Sequence, residues 1–373
     1  MTFEQEKPPS ILSRVIVFLS VPIIVGIFTF MYLRSAFLSP VDSNDRSTVL
    51  VEVAPTKTSR DISNMLKEKG LVKSVWPMVL LARLNGYDTK FRAGEFEISK
   101  SMNVIEILQK LISNQVFKRK VLIREGMSVW QVGEIVELAG LLPRLDFESA
   151  LTNKDLLRKA GITGDSFEGY LFPETYNFSR PITPEDIIWT TMQEGEKRWP
   201  EEFTERADQL KLSRHDVITL ASIIEKESGN VEEQPLVSSV FHNRLKQNMP
   251  LQSDPTVAYG LQKYSQPPTA DDLDISTPYN TYLNKGLPPG PICNPGETAI
   301  RAALFPPETA YLYFVSDGTG AHIFSTNLAE HNSAVARYRE TRKLQKANSA
   351  SQDAQIPEDQ VIVEPTAPPA NVR

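Results

Sequence analysis

Two glutamates, Glu225 and Glu227, stand one residue apart near the end of the segment LASIIEKESG. Ser213 is a suitable helix N-cap and Gly229 a suitable stop, so the residues between them predict a helix. At about 100° per residue, both carboxyl groups fall on the margins of the apolar face of this helix. Partial burial raises the pKa of a carboxyl group and lets it donate a proton near neutral pH. The pattern therefore indicates general acid catalysis.

The spacing of these two glutamates limits the mechanism. Side chains two positions apart on a helix diverge by roughly 200°, so they do not flank one glycosidic bond as the paired carboxylates of ordinary glycoside hydrolases do. One carboxylate acting with a nucleophile from elsewhere is the simpler scheme. Periodicity does not say which glutamate acts, and two solvated glutamates at the end of a packed helix are the alternative without function.

Several longer motifs surround this helix in a specific order. In that order and spacing, the chain resembles the MltG (YceG-like) family of endolytic murein transglycosylases over roughly residues 121–338. The motifs are FEGYLFPETY, LASIIEKESG, SSVFHNRL, LQSDPTVAYGL, TPYNTY, GLPPGPICNPG and YLYFVSDGTGAHIFSTNLAEHN.

The resemblance implies cleavage of the bond between N-acetylmuramic acid and N-acetylglucosamine in nascent glycan strands, without water and without a cofactor. One glutamate protonates the leaving oxygen and then acts as a base while the C6 hydroxyl closes a 1,6-anhydro ring. The resemblance assigns this role to Glu225, with Glu227 and Ser228 in support. It also implies that the enzyme terminates strand elongation beside peptidoglycan polymerases, the penicillin-binding proteins.

Other polar residues of the motifs are candidates for substrate binding. Amide, hydroxyl and phenol groups suit sugar contacts, although Asp254 in a Pro-containing loop is equally suited to bonding its own turn, and aromatic residues are common in cores. Glu168 and Glu174 are candidates for the cleft, with a structural turn around Pro173 the favoured interpretation. The candidate substrate-binding residues are Gln252, Asp254, Thr256, Tyr279, Asn280 and Tyr282.

Two other functions compete with lytic cleavage. A muramidase that uses water would need the same glutamate-bearing helix, and a non-catalytic peptidoglycan-binding scaffold would need none of its chemistry. Other classes have little support: the single cysteine, Cys293, and four scattered histidines offer no metal-binding spacing, and no Lys/Arg block suits nucleic acid.

An N-terminal stretch of 19 uncharged residues, 15–33, predicts an uncleaved transmembrane helix. Lys7 and Arg14 slightly outweigh Arg34, which favours a cytoplasmic N-terminus and an extracytoplasmic, periplasm-facing enzyme on the inner membrane.

The predicted fold class is α+β: one transmembrane helix, a small LysM-like α+β module and a larger α+β catalytic domain. The module is predicted because a strand, a Ser-capped helix and a Gly-Leu ending occur twice, about seventy residues apart, with Ser59 as the first of the two caps. Between the two copies the pattern predicts a strand around residues 96–98 and a helix over residues 104–112. A spacer domain without ligand is the alternative. The predicted segments are an N-terminus 1–14, anchor 15–33, tether 34–47, module 48–118, catalytic domain 119–342 and disordered tail 343–373.

Overall fold

The computed structural model describes residues 11–353 apart from 89, 114 and 265, and the side chains between residues 18 and 343. Within these residues the chain is α+β, as predicted, with three two-stranded sheets. The helices are α1 (Ile11–Leu38), α2 (Ser59–Glu68), α3 (Trp76–Leu84), α4 (Val104–Ile112), α5 (Val129–Leu138), α6 (Arg144–Leu151), α7 (Lys154–Lys159), α8 (Pro184–Lys197), α9 (Glu201–Leu210), α10 (Arg214–Glu227), α11 (Gln234–Lys246), α12 (Asp254–Gly260), α13 (Glu297–Leu304) and α14 (Leu328–Asp353). The strands are β1 (Thr48–Val53), β2 (Gly94–Ser99), β3 (Arg119–Ile123), β4 (Glu174–Phe178), β5 (Tyr313–Ser316) and β6 (His322–Ser325).

The chain divides into two compact units that are not consecutive in sequence. The first unit extends to Leu122 and also takes in Glu134–Phe147 and Thr175–Ile187. The second unit contains the remaining described residues, including all of those from Ile188 onward. The predicted boundary between residues 118 and 119 differs from this division because β4 returns to pair with β3.

The first unit is built on the antiparallel pair β1 and β2, in which Val51 lies opposite Phe96. The amphipathic helices α2 and α4 bury their apolar faces in the same core as these strands. The sequence pattern predicted both helices and both strands. The cap of α2 is Thr58 rather than Ser59: its hydroxyl accepts a bond from the Asp61 N–H, and Asp61 accepts one from the Thr58 N–H.

One helix of the described residues, Phe18–Leu38 within α1, is long and apolar enough to cross a membrane. It extends five residues beyond the predicted end of the anchor. Near its end, Tyr32 stacks on Trp76 with ring centroids 6.1 Å apart, and Phe37 meets the same ring edge-on at 5.3 Å. The last turns of α1 therefore pack against another helix of the first unit, α3, through aromatic contacts.

The predicted tether, residues 34–47, is not a free segment. After α1 ends, the Asp42 N–H donates to the Lys100 carbonyl at 3.1 Å, and Lys100 Nζ lies 3.0 Å from the Asp45 carboxylate. The Ser99 hydroxyl donates to the Asp45 carbonyl at 2.9 Å. These bonds tie the segment to the residues that follow β2.

Helix α10 is the central element of the second unit. Every residue from Val217 to Ile224 is buried, because α9, α11, α12 and α13 all contact this helix. Burial on all sides explains why its apolar face is broader than the stripe used in the sequence prediction.

The predicted disordered tail begins at residue 343, whereas α14 continues as a helix to Asp353. Residues 343–353 contain Ala, Lys and Gln and no Gly or Pro, which suits a helix. Residues 354–373 lie outside the described part of the chain, as do residues 1–10 of the predicted N-terminus.

Candidate active site

Both ends of α10 have the hydrogen bonds that helix termini need. At the start, the Ser213 hydroxyl accepts a bond from the Asp216 N–H, and the Asp216 carboxylate accepts one from the Ser213 N–H, which forms a capping box. At the end, the Ser228 N–H donates to the Ile224 carbonyl at 3.1 Å, so α10 stops at Glu227, before Gly229. The buried Ser228 hydroxyl donates to the Asn230 carbonyl at 2.6 Å. Ser228 therefore closes the helix end.

Glu227, the last residue of α10, faces a cavity of about 430 Å³, called here the polar cavity. Most of its wall consists of charged, amide and phenol groups, which suit the hydroxyl and amide groups of a sugar. The residues that line it are Glu227, Arg244, Leu251, Gln252, Asp254, Tyr282, Tyr313, Phe314, Leu328, His331 and Asn332.

The electrostatic surroundings of Glu227 suit a proton donor. Burial raises the pKa of its carboxyl group to about 7, and the negative charge of Asp254 acts in the same direction. The Ser253 hydroxyl donates to Glu227 Oε1 at 2.6 Å, which opposes this rise because the bond stabilises the carboxylate. The group is therefore divided between acid and carboxylate forms near neutral pH.

The loop that enters α12 supplies the opposite wall. Gln252 has φ of 51°, and its N–H donates to the Thr281 carbonyl at 3.1 Å. Asp254, the first residue of α12, accepts a 2.6 Å bond from the Tyr282 hydroxyl. Three of the predicted binding residues, Gln252, Asp254 and Tyr282, thus line the cavity together with Glu227.

Arg244, on α11, joins three segments of the wall. Its Nε donates to the Leu312 carbonyl at 2.7 Å and one terminal nitrogen donates to the Leu251 carbonyl at 2.8 Å. The guanidinium also lies over the Tyr313 ring, 5.2 Å from its centroid. Arg244 is buried, so these contacts replace the water that its charge loses on folding.

Sequence reasoning did not select Arg244, Tyr313, His331 or Asn332 as site residues. For Arg244 a signal was present in the sequence, because it is the arginine of the motif SSVFHNRL and lies at a helix position that faces the core. The other three come from β5 and α14, whose approach to α10 depends on tertiary packing.

Glu225 lies in different surroundings and does not line the polar cavity. Its Oε2 accepts a bond from the Gly296 N–H at 3.1 Å, and the Glu125 carboxylate is nearby. Burial, then the charge of Glu125, raises the pKa of Glu225. A Cβ at Gly296 would require the exposed Glu125 side chain to move. The divergence predicted from the helix period thus separates the two glutamates into distinct environments.

The other three predicted binding residues do not line the polar cavity and instead make structural contacts. The Thr256 hydroxyl donates to the Ser253 carbonyl at 2.7 Å, and the buried Asn280 amide donates to the Leu273 and Ile275 carbonyls, both at 2.8 Å. The Tyr279 ring packs against Tyr259 with centroids 4.8 Å apart.

Glu168 is a buried carboxyl group at the start of α5, where it accepts a bond from the Val129 N–H at 3.1 Å. Burial raises its pKa to about 8, although that bond and one from the Tyr259 hydroxyl favour the carboxylate. The favoured interpretation as a structural residue agrees with these contacts. Glu174 lies at the surface, 3.6 Å from Arg198.

Among the described residues, no group of three or more His, Cys, Asp and Glu side chains could hold a metal ion. Cys293 is buried, its thiol donates to the Ser222 carbonyl at 3.3 Å, and burial raises its pKa.

Comparison with known proteins places these residues in a family. Residues 51–337 match the model of the YceG-like family. The chain is 33% identical over 324 residues to the endolytic murein transglycosylase of Bacillus subtilis (strain 168), covering 83% of this chain and 89% of that protein. It is 28% identical over 362 residues to the endolytic murein transglycosylase of Streptococcus pneumoniae serotype 2, covering 87% of this chain and 64% of that longer protein.

A crystal structure of a YceG-like protein from Listeria monocytogenes has a similar fold. The two structures superpose with a TM-score of 0.55 at 32% sequence identity, over 77% of this chain and 99% of the Listeria chain.

Proposed function

Because the chain belongs to the YceG-like family, we propose that it is an endolytic lytic transglycosylase that cleaves murein between N-acetylmuramic acid and N-acetylglucosamine. The observation that carries the proposal is the Glu227 carboxyl group, with its raised pKa, in a polar cavity lined by Asp254, Gln252 and Tyr282. Glu227 supplies the proton, and the three neighbouring side chains contact the sugar.

The reaction needs one group that gives a proton and then takes one back. Protonated Glu227 donates to the glycosidic oxygen as the bond to C1 of the muramic acid breaks. The resulting carboxylate accepts the proton of the C6 hydroxyl as that oxygen attacks C1 and closes the 1,6-anhydro ring. Glu227 is again protonated, and no water is consumed.

Glu225 was the residue assigned from the resemblance, and the geometry favours Glu227 instead. Glu225 is engaged by the Gly296 N–H beside Glu125 and is absent from the lining of the polar cavity. In this proposal Glu225 has a structural role, in which its bond from the Gly296 N–H links the end of α10 to the start of α13.

Product analysis with Glu227→Gln and Glu225→Gln separates the two assignments. Uncrosslinked glycan strands are incubated with each variant, and anhydro ends are counted by mass spectrometry, since they weigh one water less than reducing ends. We expect Glu227→Gln to lower the rate by about 10²- to 10⁴-fold and Glu225→Gln to change it by only a few fold. The reverse pattern would restore Glu225 as the acid.

The second candidate function is a muramidase that uses water. The observation that supports it is a second carboxylate, Asp254, in the same cavity as Glu227. Two carboxylates in one cavity can serve hydrolysis, with one of them activating water. Reducing ends as the sole product of the wild-type protein would establish this alternative. A wild type that binds strands and forms neither product would indicate a scaffold.

The apolar helix α1 and the first unit suggest where in the cell envelope the reaction takes place. We propose that α1 anchors the protein in the inner membrane with the enzyme on the periplasmic side, and that the first unit acts as a LysM-like module on glycan. Cleavage of nascent strands beside penicillin-binding proteins would terminate their elongation. The apolar span Phe18–Leu38 supports the anchor.

A further inference from the structure

A second cavity, of about 280 Å³, lies beside the polar cavity and shares one wall residue with it, Asp254. It is called here the apolar cavity. Its lining residues are Gly126, Ser128, Gln131, Lys226, Asp254, Pro255, Ala258, Tyr259, Lys263, Tyr264, Gln266, Pro267, Pro268 and Ile292. Since both cavities contact Asp254, a ligand bound at Glu227 is adjacent to this second space.

Apolar and aromatic groups form much of the wall of the apolar cavity. Pro255 and Ile292 are apolar, and Tyr259 packs against Tyr264 with ring centroids 5.8 Å apart. The Tyr259 hydroxyl is already bonded to the buried Glu168 carboxyl group. Small aliphatic side chains would be buried favourably against these groups, and polar lining residues such as Gln131 and Gln266 can bond peptide groups.

One positive charge in this cavity is available to a ligand. Lys263 Nζ is 2.7 Å from the Asp272 carboxylate, so its charge is balanced. Lys226 is exposed, and its Nζ donates to the Gly126 carbonyl at 3.4 Å. Among the described residues no ion-pair partner of Lys226 is found. The cavity therefore combines apolar surface with one ammonium group, that of Lys226, whose charge is not balanced by an ion pair among the described residues.

We propose that the apolar cavity binds the stem peptide attached to muramic acid, with Lys226 contacting a peptide carboxylate. The inference rests on the proposed function, because the sugar that carries the peptide is the one cleaved beside Glu227. Stem peptides contain alanine methyl groups and free carboxylates, which match the apolar walls and the ammonium group. Lys226 is thus a specificity residue that distinguishes peptide-bearing strands from bare glycan.

The test compares two substrates of the same length: strands that carry stem peptides and strands from which an amidase has removed them. The measured quantity is the ratio of kcat/KM for the two substrates, with anhydro ends as the product. We expect the wild type to favour peptide-bearing strands, and Lys226→Met to lower the ratio by roughly tenfold through the loss of a charge-assisted bond. Lys226→Arg should retain most of the preference.

Lys246→Met is the matched control, because Lys246 is exposed on α11 and lies outside both cavities. Its ratio should equal that of the wild type. Equal ratios for the wild type and Lys226→Met, with anhydro ends formed in both, would overturn the stem-peptide site and leave the proposed function intact. Absence of anhydro ends from wild-type digests would instead count against the proposed function.

Discussion

The hydroxyl of Ser253 lowers the pKa of Glu227, the proposed catalytic acid. Its 2.6 Å bond stabilises the Glu227 carboxylate and so lowers the pKa of a group that burial raises to about 7. A general acid works in its protonated form, so kcat/KM should fall as pH rises through about 7.

We therefore expect Ser253→Ala to raise the pKa of Glu227 and to move this falling limb upward by about one pH unit. A pH profile of kcat/KM on soluble strands measures the shift. Ser239→Ala serves as the comparison, because the Ser239 hydroxyl bonds to the Leu236 carbonyl and lies outside the polar cavity. A limb that stays in place in Ser253→Ala would remove Glu227 as the titrating group.

At the scale of residues, the sequence predicted two glutamates as candidate acids, but it did not predict how their surroundings differ. Helix periodicity separated Glu225 from Glu227, and the motifs brought forward Gln252, Asp254 and Tyr282, all of which line the polar cavity. The bond from Gly296 to Glu225 and that from Ser253 to Glu227 join residues far apart in the chain. Helix periodicity and short motifs carry no information about hydrogen bonds between residues that are distant in the chain.

At the scale of elements, α10 determines where both glutamates lie, and its start depends on a local capping box. Replacing an N-cap serine by alanine costs about 1 kcal/mol, because N–H groups of the first turn lose their acceptor. Ser213→Ala should therefore lower the free energy of unfolding by about that amount, measured by chemical denaturation.

The rate of strand cleavage in Ser213→Ala should stay near that of the wild type, because a 14-residue helix places the cap about 20 Å from Glu227. Ser333→Ala on the exposed face of α14 should leave stability nearly unchanged. Loss of activity in Ser213→Ala without loss of stability would contradict this account of α10.

Elements with signals at both ends were predictable, and elements fixed by packing were not. α4 and α10 carry caps and clear apolar faces, and the sequence predicted both. The short helix α12 occupies a segment predicted as a Pro-containing loop; Pro255 is compatible with it because proline fits the first turn of a helix. Its seven residues offer too few turns for periodicity to identify.

For the whole molecule, composition predicts the apolar span of α1, and anchoring in a membrane is the proposal that follows from it. Charged residues at the centre of a membrane helix each cost about 2.5–3.5 kcal/mol on insertion. We expect the double variant Ile24→Lys and Ile27→Lys to leave the membrane fraction, whereas Leu38→Lys at the end of the span should remain in it. Flotation of membranes followed by immunoblotting measures this, and retention of the double variant would argue against a bilayer span.

The sequence predicted an order of segments, but it did not predict the division into two units. Residues 134–147 and 175–187 belong to the first unit although they follow β3 in the chain. Their assignment depends on the pairing of β3 with β4, a contact between strands about fifty residues apart. The two similar strand–helix patterns of the sequence gave no indication of this return.

The contacts between α1 and the rest of the first unit limit how far that unit can move from its apolar helix. Trp76 lies against Tyr32 and Phe37, and the residues after α1 bond to Ser99 and Lys100. A flexible linker would let a domain move away from its anchor, whereas these contacts hold the residues at the end of α1 and after it against other residues of the first unit. With α1 in a bilayer, as proposed, this unit would move laterally with its anchor and stay next to the membrane, so any glycan that it binds would lie in the layer nearest the bilayer.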